Sequence, residues 1–168
     1  FDDEHDQVLR GQPMSSVRAR VLRSLEKFNV ATDLVFTVLR GLNEGQMGRV
    51  LDYANEHPFV KEVFFLGCRP LGRATEDFDG GFLTPDETLD VLIEQTGGRI
   101  NRDDLRVFQK LYFALLAVLR VRKCFYIHHY MVLRTKKGWR PISDYVDFSY
   151  LEPKLDRFRD LMKRNRSA

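Results

Sequence analysis

Cysteine and histidine are the side chains most able to hold a metal or act as nucleophiles, and this chain has two of the first and four of the second. Cys68 and Cys124 stand 56 positions apart, and Cys124 has no partner at ligand spacing. A lone cysteine such as Cys68 is more often a small buried residue than a ligand. His128 and His129 are adjacent. On a strand their side chains point to opposite faces and cannot both reach one metal in regular geometry. There is no Gly-x-Ser-x-Gly elbow and no metal-spaced histidine pair, so a small hydrolase has little support. The densest candidate is residues 67–83, a long loop with four glycines and a proline. Long ordered loops in compact domains are often functional.

The elements that would position that loop can be read from spacing. Val17, Val21, Leu22, Leu25 and Phe28 share a helical face, with Ser15 or Ser16 as cap and Asn29 as stop. Residues 30–39 are almost continuously apolar, as in a parallel strand covered on both faces. Asn43 and Gln46 have the spacing of a capping box, opening a helix that buries Met47, Val50, Leu51 and Ala54 and stops at His57-Pro58. Residues 60–66 (VKEVFFL) predict the next strand. The order helix, strand, helix, strand is α/β and implies crossovers into a parallel sheet.

Beyond the loop, Thr84-Pro85-Asp86-Glu87 starts a helix that ends at Gly97-Gly98. Asn101 starts another with a wide apolar stripe from Leu105 to Leu119. Residues 125–133, the Lys137-Gly138 turn and Trp139 suggest a strand or hairpin, and residues 152–164 a last amphipathic helix with Pro153 in its first turn.

At 168 residues the chain can bury one real core, and 43% hydrophobic with 30% charged residues excludes disorder and a membrane-embedded protein. No apolar run reaches the length of a membrane span. The cysteine count suits a reducing cytoplasm better than a disulfide framework. Net charge is +3, with the basic excess in the last third. A nucleic-acid or acidic-lipid surface is conceivable there, though a solvated basic face is the commoner origin of such a bias. Phe1-Asp2-Asp3-Glu4 has no feature of a targeting signal, and the chain is expected to be processed or excised from something longer.

Three stretches in order resemble one family. Phe1-Asp2 followed by Leu9-Arg10-Gly11 is similar to the end of the fourth barrel strand and its loop in radical S-adenosylmethionine enzymes. Phe36-Thr37-Val38-Leu39-Arg40-Gly41-Leu42-Asn43 resembles the fifth-strand motif of that family, and residues 65–73 (FLGCRPLGR) the end of the sixth strand and its loop, with Leu71 where one subgroup has threonine. That subgroup contains tetraether lipid synthase, and Gln95-Thr96-Gly97 also resembles it.

The resemblance implies a partial (β/α) TIM-type barrel over residues 1–83, then a helical extension with a β-hairpin over 84–168. It implies an S-adenosylmethionine site at the strand ends from Thr37, Arg40, Gly41, Asn43, Gly67 and Cys68. Gly72 and Arg73 would face the substrate, a small molecule or lipid. Arg40 would pair with the cofactor carboxylate, a role weighed equally against simple solvation, while Asn43 is expected more as a helix cap than as a ligand. The full protein would use a [4Fe–4S] cluster, but the CxxxCxxC motif that holds it is absent here. This chain alone is therefore expected to bind no cofactor, to be inactive and to self-associate unless its C-terminal helices cover the open sheet. The alternative is a non-catalytic α/β binding module whose basic surface takes nucleic acid or a protein; nucleic acid is the less favoured partner.

Overall fold

The computed structural model describes residues 2–67, 81–121 and 128–164. The chain forms two units, Phe1–Gln95 and Thr96–Ala168.

The first unit begins with two helices. In α1 (Asp3–Arg10) the Asp2 carboxylate accepts from the Glu4 amide at 3.0 Å, and Gly11 closes the helix in the left-handed conformation at φ 73°. Leu9 and Arg10 are therefore helical, where the family resemblance implied a loop; of the implied strand end, Phe1 lies outside the described residues and Asp2 is the extended cap, and three acids in the first turn favour a helix N-terminus. Asp3 reaches the start of α2 (Ser15–Lys27) and accepts from the Ser15 amide at 2.8 Å and its hydroxyl at 2.7 Å. Those bonds hold the Asp3 carboxyl below its ordinary value. The expected serine cap is thus supplied from outside the helix, with Met14 at the cap position. Asp6, buried, pairs with Arg18 and joins the two helices.

Strand β1 (Thr32–Val38) lies parallel to β2 (Val60–Gly67), with Leu34 opposite Val63 and Val38 opposite Gly67. Between them run a 3-10 turn (Glu44–Gln46) and α3 (Met47–Glu56). Helix α4 (Pro85–Gln95) follows and packs on α3 and β2. One sheet face is dry: Phe36 and Phe65 meet edge to face at 6.0 Å and pack with Val91 and Leu92 around Val38, Met47 and Leu83. The opposite face is not covered as the apolar run predicted, since Val35 is 59% and Leu66 50% exposed. The reason is that α3 and α4 both meet the Phe36/Phe65 face. Among the described residues this sheet has two strands and no barrel closes.

The second unit holds α5 (Arg102–Val118), an antiparallel hairpin of β3 (Val132–Thr135) and β4 (Gly138–Pro141), and α6 (Phe148–Arg164). Asn101 caps α5 by accepting from the Asp104 amide at 2.8 Å. Helix α6 starts earlier than residue 152, because Asp147 accepts from the Ser149 and Tyr150 amides at 2.9 and 3.2 Å. Pro153 therefore sits inside the helix and not in its first turn. Lys110 on α5 binds Glu152 and Asp156 on α6, both at 2.7 Å, and Arg106 also pairs with Glu152. His128 and His129 precede β3 and do not lie on it; the His129 ring is 4.1 Å from that of Tyr112.

Candidate functional site at the strand ends

Parallel strands deliver their C-terminal ends to one edge, and in α/β proteins ligands gather there. Val38 and Gly67 are register partners, so the chain leaves β1 and β2 side by side. Thr37, Arg40, Gly41, Asn43 and Gly67 are brought to this edge. Cys68, Gly72 and Arg73, together with Cys124, lie outside the described residues.

Asn43 is the best-held of these residues. It is 4% exposed; its side-chain oxygen accepts from the Leu39 amide at 2.8 Å and its nitrogen donates to the Thr37 carbonyl at 2.9 Å. The carboxamide thus stands in for a neighbouring strand, satisfying one donor and one acceptor as β1 ends. The capping box with Gln46 does not form: Asn43 makes no side-chain bond to the turn that follows it. Gln46 instead meets His5 at 3.1 Å.

Gly41 adopts φ 74°, and a Cβ built there would meet nothing within 4 Å. Backbone conformation, and not crowding, is what glycine serves here. Its amide donates to the Glu44 carboxylate at 2.7 Å.

Arg40 is engaged by the segment that returns to the edge. Its amide donates to the Gly81 carbonyl at 3.1 Å, and its guanidinium donates to Glu87 at 2.6 Å. The fit is close, since a Cβ on Gly81 would lie 2.8 Å from the Arg40 Cδ. Glu87 also accepts from the Thr84 amide and hydroxyl, each at 2.8 Å, and its own amide donates back to that hydroxyl at 3.2 Å. The Thr84 bonds first, and Arg40 after them, pull the Glu87 carboxyl down to about 2. The predicted capping box at Thr84 is therefore formed, and it holds Arg40 as well.

Sequence reasoning missed two groups. Gln95 accepts from the Gly48 amide at 2.8 Å and donates to the Glu44 carbonyl at 2.6 Å, pinning the start of α3. Its position in the Gln95-Thr96-Gly97 segment was the available signal. In the second unit the buried Asp104 accepts from the Tyr130 hydroxyl at 2.9 Å and from the Ser143 hydroxyl, while Arg99 lies 4.0 Å over the Trp139 ring. Burial first, then Asp104, raises the Tyr130 phenol. No spacing rule joins residues so far apart in the chain.

Among the described residues, no group of three or more His, Cys, Asp or Glu is placed to hold a metal ion. Among the described residues the edge has no adjacent nucleophile and base. Its groups can position backbone and bind polar ligands. No protein-family model matches the chain, and no curated protein matches it, which leaves this geometry as the ground for a functional reading.

Proposed function

We propose that this chain is the later part of a (β/α) barrel of the radical S-adenosylmethionine type, supplying strand ends that line the cofactor and substrate cavity. One observation carries the reading: β1 and β2 are parallel, α3 and α4 meet the Phe36/Phe65 face, and Val35 and Leu66 on the other face are exposed. A parallel sheet is ordinarily covered on both faces, and two strands are too few for an independent one. The open face, with Val35 and Leu66 exposed, suits the inner wall of a barrel completed by further strands. Thr37 is the register partner of Leu66 and so shares the open face, beside the edge.

The parent enzyme would cleave S-adenosylmethionine reductively and abstract a hydrogen atom from its substrate. The iron–sulfur cluster this needs does not fit the donor set here. Such clusters take three or four close thiolates, and the chain has two cysteines. No step through the cluster is assigned to these residues. The Arg40 guanidinium is already paired with Glu87, so Thr37 and the Gly41 turn are the better-placed cofactor contacts.

A second reading, a non-catalytic binding module, is favoured by the engagement of Arg40 and Asn43 in internal bonds. Anaerobic reconstitution with iron and sulfide separates the two. The chain alone should take up no stoichiometric cluster and yield no 5′-deoxyadenosine. The gene product extended upstream should carry CxxxCxxC and bind about one cluster. An upstream sequence without that motif would rule out the barrel enzyme.

A further inference from the structure

The second unit distributes its charge in a way its fold does not require. Between Asp104 and Asp144 the sequence holds nine Lys or Arg and no Asp or Glu, and residues 111–119 carry no charge at all. A helix packing on one core needs an apolar stripe, yet the C-terminal half of α5 is apolar nearly all round. Leu111, Phe113 and Leu115 are exposed there, as are Val118 at 61% and Leu119 at 59%. Met131, Val132 and Leu133 are exposed too, and they follow closely on His129, whose ring lies 4.1 Å from that of Tyr112 on α5. The two bare apolar stretches therefore belong to one neighbourhood.

Six of these cations fall into two groups. Arg106 and Lys110 are matched by acids on α6, and Arg140 approaches Asp144 at 3.9 Å. Arg120, which ends α5 in the left-handed conformation at φ 54°, is exposed, as are Lys136 and Lys137 at the hairpin turn. These three make no ion pair among the described residues.

We propose that this surface seats on an anionic membrane, with the end of α5 and residues 131–133 entering the headgroup boundary and Arg120, Lys136 and Lys137 meeting acidic headgroups. Charge complementarity favours that occupant, and so does the mixture of groups. An interfacial surface rewards large aliphatic side chains rimmed by cations. A nucleic acid rewards the cations and aromatic platforms but leaves exposed Leu and Val unused. No helix among the described residues is long and apolar enough to cross a membrane, so the contact lies along the surface. The inference is independent of the chemistry at the strand ends.

Co-sedimentation of the full chain with vesicles tests it. Binding is expected to phosphatidylcholine vesicles containing about 30% phosphatidylserine, to weaken with salt, and to be slight without the acidic lipid. Each cation near an acidic leaflet strengthens binding about five-fold. Lys136→Glu with Lys137→Glu should therefore weaken it more than about 25-fold. Leu115→Ser with Val118→Ser should weaken it about ten-fold or more at every salt concentration. Far-UV circular dichroism checks that both variants fold, and if the second does not, the hairpin-turn pair carries the test alone. Absence of binding to the acidic vesicles overturns the proposal. So does binding indifferent to both variants, tighter binding to a mixed-sequence nucleic acid, or a dimer that buries these residues and ignores vesicles.

Discussion

Asn43 in the first unit and Asp104 in the second are buried polar side chains that each tie segments together, but by different chemistry. In the first, the neutral carboxamide of Asn43 bridges Thr37 and Leu39, a few residues back at the end of β1. In the second, the carboxylate of Asp104 gathers Tyr130 and Ser143 from distant stretches. A carboxamide both donates and accepts, so it can replace strand pairing without introducing charge. A carboxylate only accepts, so it must be fed by hydroxyls and amides brought from elsewhere. The first device is local and can form as soon as β1 turns. The second exists only once α5, Tyr130 and the hairpin have come together.

Six variants sharpen or break that contrast. The largest loss is expected from Met47→Ala, which empties a fully buried position against Val38 and Leu83. It should cost about 2–5 kcal/mol in urea unfolding. Trp139, the only tryptophan, lies in the second unit, so its emission should report that unit alone. If Met47→Ala moved the Trp139 transition as far as the far-UV signal, the two units would be one cooperative structure.

Asn43→Ala comes next. It strands the Leu39 amide and the Thr37 carbonyl, at about 2–3 kcal/mol. Asn43→Asp should restore little, because a carboxylate cannot donate to the carbonyl. Equal stability of the Asp variant and the native chain at neutral pH would show that the carboxamide is not a strand surrogate.

Asp104→Ala should cost about 1–3 kcal/mol and shift the Trp139 transition while sparing the first unit. Ser143→Ala removes one hydroxyl and should cost less than Asp104→Ala.

The smallest effect is confined to acid. Glu87 has its folded value pulled from 4.5 to about 2. A depressed carboxylate stabilises the fold above its unfolded value and loses that contribution as pH falls through the folded one. The native chain should therefore weaken between about pH 4.5 and 2 more steeply than Glu87→Gln, measured by thermal unfolding across that range. Identical acid profiles would mean that the Thr84 and Arg40 bonds contribute nothing. Nearly half of each Arg40 and Glu87 side chain is exposed, so solvent screening keeps the effect modest.

What the sequence revealed was mostly local. Thr84 with Glu87 and Asn101 with Asp104 were legible because each cap and its partner lie three residues apart. The strand over residues 60–66 was legible from its β-branched and aromatic content, and it runs one residue longer. Asn43 had the right spacing for a cap and still took another role, because the strand carbonyl and amide behind it were unpaired and within reach. The start of α6 was misplaced because Pro153 outweighed Asp147 as a signal, whereas the backbone amides of Ser149 and Tyr150 decided it. The bare sheet face was not legible at all. Periodicity says that a strand is apolar on both sides, but not which helices will arrive to cover them.

The Arg40–Gly81 contact has an evolutionary consequence. The stretch between Gly67 and Gly81 leaves beside Val38 and returns to the residue that lies two positions after it. Gly67 and Gly81 are thus each held to the end of β1 by backbone pairing. Closing a longer connection costs little, only about 0.6 kcal/mol for each doubling of length. Insertions and deletions there should pass selection for folding with small penalties, provided the glycine against Arg40 is kept. Lineages could therefore re-dress this edge for new ligands by changing the length and content of one segment, while the strands beneath it stay as they are.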